Sequence, residues 1–169
     1  WNTTPDHELL SAGESGELDT RDGLFTHASR LLESDRTREG VRNFFTEFLH
    51  LYELDHLSKD PTIFEQFNED LGKDAMEETL SLIEYLVFDL EADYRELMTT
   101  RETFINPRLA AIYNIPAPSP EGFAYAQLPD DEERSGLLGQ VAFLAGHSHQ
   151  VSSSATLRGK AVRTILLCQ

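Results

Sequence analysis

A chain of 169 residues has room for one domain or two small ones, and a 40% apolar content that includes ten Phe is enough to bury a core. The formal net charge of −16 works against the basic footprint that DNA, RNA or an anionic membrane surface requires, so neither nucleic acid nor membrane insertion is expected. Cys168 is the single cysteine, which rules out an internal disulfide and a Cys-rich metal site.

Thr4-Pro5-Asp6 predicts a helix start, with Thr4 as cap and Pro5 in the first turn, followed by Leu9, Leu10 and Ala12. Asp19 and Thr20 open a second helix carrying Leu24, Ala28, Leu31 and Leu32 on one face. Ser34 and Asp35 open a third, whose apolar set is Val41, Phe44, Phe45, Phe48, Leu49 and Tyr52. Asp60-Pro61 restarts the chain with a short turn or helix through Phe64 and Phe67. A long helix follows over 68–89, and its wide apolar face (Leu71, Ala75, Met76, Leu80, Ile83, Leu86, Val87, Leu90) predicts a central position. Asp93 caps a short helix through Leu97, and Asn106-Pro107 caps another carrying Leu109, Ala110, Ile112 and Tyr113.

The character changes over 114–133, where a Pro-rich breaker cluster is followed by a short extended piece, 123–128, and a charged turn, 129–133. Residues 134–169 then read as a helix over 136–145, a polar loop over 146–156 and a helix from Leu157. This last stretch holds Arg134, Arg158, Lys160 and Arg163 and no acid, whereas the first 133 residues hold all thirty acids against ten bases. The expected fold is all-α: an irregular helical bundle ending in a helix–loop–helix, with at most one short strand pair. The expected division is an acidic helical domain at 1–115, a Pro/acidic linker or ordered loop at 116–133, and the beginning of a second domain at 134–169. A chain that begins at Trp1 and ends on the apolar pattern 161–168 reads as part of a longer protein. No run approaches the ~18 apolar residues of a membrane helix.

Several segments fall in a familiar order: the Trp1 to Asp6 start, 44–54, Glu77-Glu78-Thr79, Phe104 to Ala110, Arg134-Ser-Gly-Leu-Leu138, His147-Ser-His149 and Leu157-Arg-Gly-Lys160. Together they resemble the planctomycete-type cytochrome c family of multi-domain proteins, which contain adjoining domains of unknown function. The resemblance implies an exported, periplasmic bacterial protein in which a c-type haem sits on a Cys-x-x-Cys-His motif downstream. No such motif occurs in these 169 residues, so no cofactor is expected here and the haem belongs to the parent chain. The family pattern often has Pro where Ala155 stands, which implies a less rigid loop here.

The chemistry-bearing candidates cluster in the 146–158 loop. His147 and His149 flank Ser148 and serve as loop hydrogen-bonding groups, as ligands in the parent, or as acid/base groups. Ser154 and Thr156 precede a helix start with Arg158 and Lys160, a pattern for helix capping or for binding an anion or a partner. Glu47-x-x-His50 and His50-x-x-Glu53-x-x-His56 lack the spacing and the further carboxylates of a metal site, and no metal site is assigned. Of Glu77, Glu78, Glu84, Asp89, Glu91 and Asp93, most fall on the solvated side of the long helix, so the set reads as a solvated face and not as paired catalytic carboxylates. The sequence names no reaction. The expected role is a non-catalytic helical module that supports or docks the haem segment of its parent, with other domains of that chain as partners. A haem-dependent oxidoreductase with a site near 146–158, and a plain interaction scaffold, are the alternatives.

Overall fold

In a computed structural model, which describes residues 3–130 and 134–169, the chain is mostly helical with one small antiparallel sheet among the described residues. It divides into two compact units, Trp1–Phe44 and Phe45–Gln169. The charged turn expected over 129–133 falls partly on residues 131–133, outside the described residues.

In the first unit, α1 covers His7–Glu14 and begins two residues later than Thr4 and Pro5 suggest. Asp6 is the cap, because its carboxylate accepts from Leu9 N and also takes a fork of two hydrogen bonds from Arg30, at 2.7 and 3.0 Å. Those bonds from Arg30, ahead of the bond from Leu9, hold the Asp6 carboxyl at about 2. Arg30 lies on α2, Arg21–Leu32, which Thr20 caps as expected through its bond from Gly23 N. The expected apolar face of α2 is not the buried one. Leu24 and Leu32 are exposed, and Gly23 and His27 are buried instead, since the 3-10 turn Glu17–Asp19 packs on that side and places Glu17 3.5 Å from the His27 ring. α3, Arg36–Phe48, starts after Ser34 as expected and is shorter than its pattern. The chain turns at His50, which takes a left-handed φ of 55°, so Tyr52 falls in the 3-10 turn Leu51–His56.

The second unit is organised around α4, Leu71–Glu84, which packs against that 3-10 turn and against the segments 102–105, 107–113 and 141–146. Its central position is the one that the periodicity predicts. Its start is later than residue 68, because Asn68 is used in a turn: its side chain accepts from Asp70 N. A π-helical turn, Tyr85–Asp89, completes the helix. At Gly72 an added Cβ would lie 1.9 Å from Leu54 O, so the missing side chain is what lets α4 approach the 3-10 turn. Strand β1, Glu102–Ile105, pairs with β2, Ala124–Gln127, in antiparallel register from Glu102↔Gln127 to Ile105↔Ala124. Only β2 is legible as an extended piece. Between them α5, Pro107–Tyr113, starts on its Asn106 cap with Pro in the first turn. The core joins Leu51, Leu54, Ala75, Leu80, Ile105, Leu109 and Val141.

The helix expected over 136–145 is broken into α6, Gly136–Gly139, and α7, Val141–Gly146. Gln140 between them is extended, and its buried side chain accepts from Thr79 on α4 at 2.8 Å. A tertiary hydrogen bond thus replaces helix continuity at that position. α8, Ala155–Ala161, is capped by Ser154 and ends in a π-helical turn, Val162–Leu166. No helix among the described residues is long and apolar enough to cross a membrane.

Candidate functional site

The residues with unusual chemistry lie in the second unit, around α4 and the 134–158 segment. Glu78 is completely buried. Its place in the sequence explains why: Leu71, Ala75, Glu78 and Leu82 follow one another at four-, three- and four-residue steps, so the carboxylate occupies a core position of the helix. The reading of the 77–93 carboxylates as a solvated face therefore does not hold for Glu78. Its Oε1 accepts from Thr103 Oγ1 at 2.8 Å and from the Tyr113 hydroxyl at 2.6 Å. The same Tyr113 oxygen accepts from Val141 N at 3.1 Å, and the Arg134 guanidinium stands 5.1 Å from the Tyr113 ring centre. Burial pushes the Glu78 carboxyl up to about 7, against the hydrogen bonds from Tyr113 and Thr103 and the charge of Arg134. Burial and the neighbouring Glu78 charge push the Tyr113 phenol well above its ordinary value. Glu78 Oε2 and Gln140 Nε2 are buried with no hydrogen-bond partner among the described residues. One helical turn before Glu78, the buried Asp74 is matched by Arg108 through two bonds, at 2.5 and 2.7 Å.

Tyr113 of α5 thus reaches α4 and the start of α7 through one hydroxyl, and Thr103 of β1 meets it at the same Glu78 oxygen. Replacing it with Phe leaves the Val141 N–H without its acceptor and removes a donor from Glu78. The expected loss is about 1–3 kcal/mol of unfolding free energy, measured by urea denaturation at neutral pH.

The polar loop is held by Lys59. Lys59 is a buried residue, and its ammonium donates to Ser148 O at 3.1 Å, Ser148 Oγ at 2.8 Å and His149 O at 3.0 Å. Asp60 N donates to Gln150 O, so the 59–60 segment grips three successive loop residues. Burial pushes the Lys59 ammonium below its ordinary range. Nothing in the local sequence around Lys59 marks this role, because its partners lie about ninety residues on.

The structure separates the candidate residues of the loop. His147 is half-buried, lies edge-on to Phe143 with ring centres 5.0 Å apart, and lines a cavity of about 260 Å3 together with His50, His56 and Glu53. Burial, ahead of the repulsion from His50, lowers the His147 pKa below its ordinary value. Arg158 lines a second pocket of about 330 Å3. Lys59 lines both. Ser154 is buried as the cap of α8, and His149, Thr156 and Lys160 are exposed and line neither cavity. Glu47 is exposed, and His50 sits 3.7 Å from Glu53 at the end of α3, so the two do not share a helical metal face. Among the described residues no group of three His, Cys, Asp or Glu is arranged to hold a metal ion. The residues present do not fit a covalent haem either: Cys168 is exposed and isolated, and no Cys-x-x-Cys-His occurs.

Three of these residues were not legible as site residues: Glu78, Lys59 and Arg134. For Glu78 the signal was there, a carboxylate in step with an apolar stripe. For Lys59 and Arg134 it was not, since their surroundings are assembled from distant segments. No curated protein and no solved structure matches the chain. The family model described as PSD4, protein of unknown function (DUF1592), matches residues 1–115, more than half of the sequence, and the chain belongs to that family.

Proposed function

We propose that this chain is a non-catalytic helical module of a larger exported bacterial protein with a c-type cytochrome segment, and that residues 134–169 dock against another part of that parent. The observation that carries this reading is the way buried ionisable groups are bonded inward. Lys59 grips the loop carbonyls, Asp74 matches Arg108, and Glu78 takes the hydroxyls of Thr103 and Tyr113. Groups held in this way stiffen a scaffold and leave little free chemistry for a substrate. The acid-free surface of α8 and of the turn that follows it supports docking: Lys160 and Arg163 are exposed beside the exposed Leu157 and Leu167, a cationic and apolar combination suited to an anionic partner surface. The cytochrome context rests on the sequence resemblance alone. Export to the periplasm belongs to the same reading.

The test uses the intact parent. Lysine-directed cross-linking is expected to join Lys160 to another domain of the same chain. The substitution Arg163→Glu, which keeps the reactive Lys160, is expected to suppress that product while leaving the melting temperature of this module unchanged. Absence of any cross-link outside the module would sink the docking proposal. A parent without a c-type haem absorbance spectrum would remove the electron-transfer context and leave a plain interaction scaffold. Turnover of a redox substrate that is lost on replacing His147, which lines the smaller cavity, would instead favour an oxidoreductase.

A further inference from the structure

The pocket of about 330 Å3 in the second unit combines two features that seldom occur together in so acidic a chain. Its walls are apolar, with Phe64, Phe67 and Leu144 among them. Its charged lining consists of Lys59, Arg134 and Arg158, and no acidic side chain among the described residues lines it. In a protein with thirty Asp and Glu, three cations on one concavity with no carboxylate among its described lining residues is a local inversion of charge. None of the three is in ion-pair contact with a described acid, although the charge of Arg134 is felt by the buried Glu78 carboxyl behind Tyr113. All the bonds from Lys59 go to neutral oxygens of the 148–149 loop, Arg134 faces the Tyr113 ring, and neither arginine forms an ion pair with a described residue.

We propose that this pocket binds a small organic carboxylate with an apolar body, the carboxylate seated at Arg158 and Arg134 and the body against Phe64, Phe67 and Leu144. The chemistry of the lining selects this class. A low-polarity cavity strengthens the attraction between a guanidinium and a carboxylate, and the guanidinium fork matches carboxylate geometry. The aromatic and leucine walls gain from covering apolar area. Inorganic phosphate satisfies the cations and leaves the walls bare. An alcohol of the same chain length fills the walls and leaves the cations unmatched. A polar rim is supplied by Ser148 and Ser153. Lys59 adds positive potential from the lining, and an anion beside it would offset the burial that depresses its ammonium pKa. This site does not depend on the docking proposal, which concerns the outer face of α8.

The experiment is calorimetric titration of the 169-residue chain with octanoate at pH 7.5 and low salt, with octanol and inorganic phosphate as controls. Octanoate is expected to bind at one site, more tightly than either control. Arg158→Gln is expected to weaken it roughly tenfold or more, and Arg158→Lys to restore part of the affinity. Both variants are first checked for an unchanged melting temperature. Should Arg158→Gln lose its folded transition, the decision passes to the salt dependence of octanoate binding by the unaltered chain, which must weaken as salt rises. The proposal is overturned by absence of octanoate binding, by equal binding of octanol or phosphate, by an affinity that Arg158→Gln does not change, or, in the fallback, by binding indifferent to salt.

Discussion

Replacing Glu78 with Gln is expected to make the protein more stable at pH 8 and to change it little at pH 4. Glu78 is fully buried, and its carboxyl is pushed from 4.5 in the unfolded chain up to about 7 in the fold, chiefly by burial. The folded state therefore binds this proton more tightly than the unfolded state does. Below about pH 4.5 both states are protonated and the contribution of Glu78 is complete. Between 4.5 and 7 the unfolded chain releases the proton while the fold keeps it, so stability falls as pH rises; above 7 the loss is complete. A shift of that size corresponds to about 3 kcal/mol. Gln keeps a carbonyl oxygen for Thr103 and Tyr113 and never ionises, so the difference between variant and parent isolates this one titration. His147 acts in the opposite sense: its lowered pKa costs stability as pH drops below its ordinary value, and that trend remains in both proteins. The measurement is urea unfolding of both proteins from pH 4 to 9. A difference curve that is flat across this range would show that Glu78 does not titrate in the fold.

Gly136→Ala is expected to cost about 3 kcal/mol or more, with loss of cooperative unfolding near physiological temperature. Two independent effects add. Gly136 has a φ of 56°, in the left-handed region where a side chain is strained, and its ideal Cβ would stand 2.3 Å from Met98 C and 2.4 Å from Met98 O. The atoms in the way are backbone, which cannot swing aside. Gly136 N also donates to Thr100 O at 2.7 Å, so the segment cannot retreat without breaking that bond. Near-native denaturation of the alanine variant would refute this account. A control at Gly159, where an added Cβ meets nothing within 4 Å, is expected to be neutral or slightly stabilising, because alanine favours helix.

The Gly136 contact also explains how the Arg134-Ser-Gly-Leu-Leu segment can be read as distinctive while its reason stays out of sight. The sequence displays a glycine; only the approach of the 97–100 backbone makes that glycine obligatory. The same holds for Gln140. An amphipathic pattern over 136–145 predicts one helix, yet a single hydrogen bond from Thr79 holds the Gln140 side chain and the helix divides there. Glu78 is the intermediate case, a carboxylate whose spacing announces burial and whose chemical type argues against it. Burial wins because Thr103 and Tyr113 supply hydroxyls from two other elements.

Helix starts at Thr20, Asp93, Asn106 and Ser154 are written in the chain itself, because each cap bonds a backbone amide two or three residues ahead and needs no other part of the protein. The central place of α4 follows from its apolar periodicity for the same local reason. The pairing of β1 with β2, the hold of Lys59 on the 148–149 loop and the gathering of Arg134 and Arg158 with Lys59 around one pocket join residues from about 20 to about 100 positions apart. Such contacts come into being only when the core closes, because the burial that makes them strong does not exist in any isolated segment.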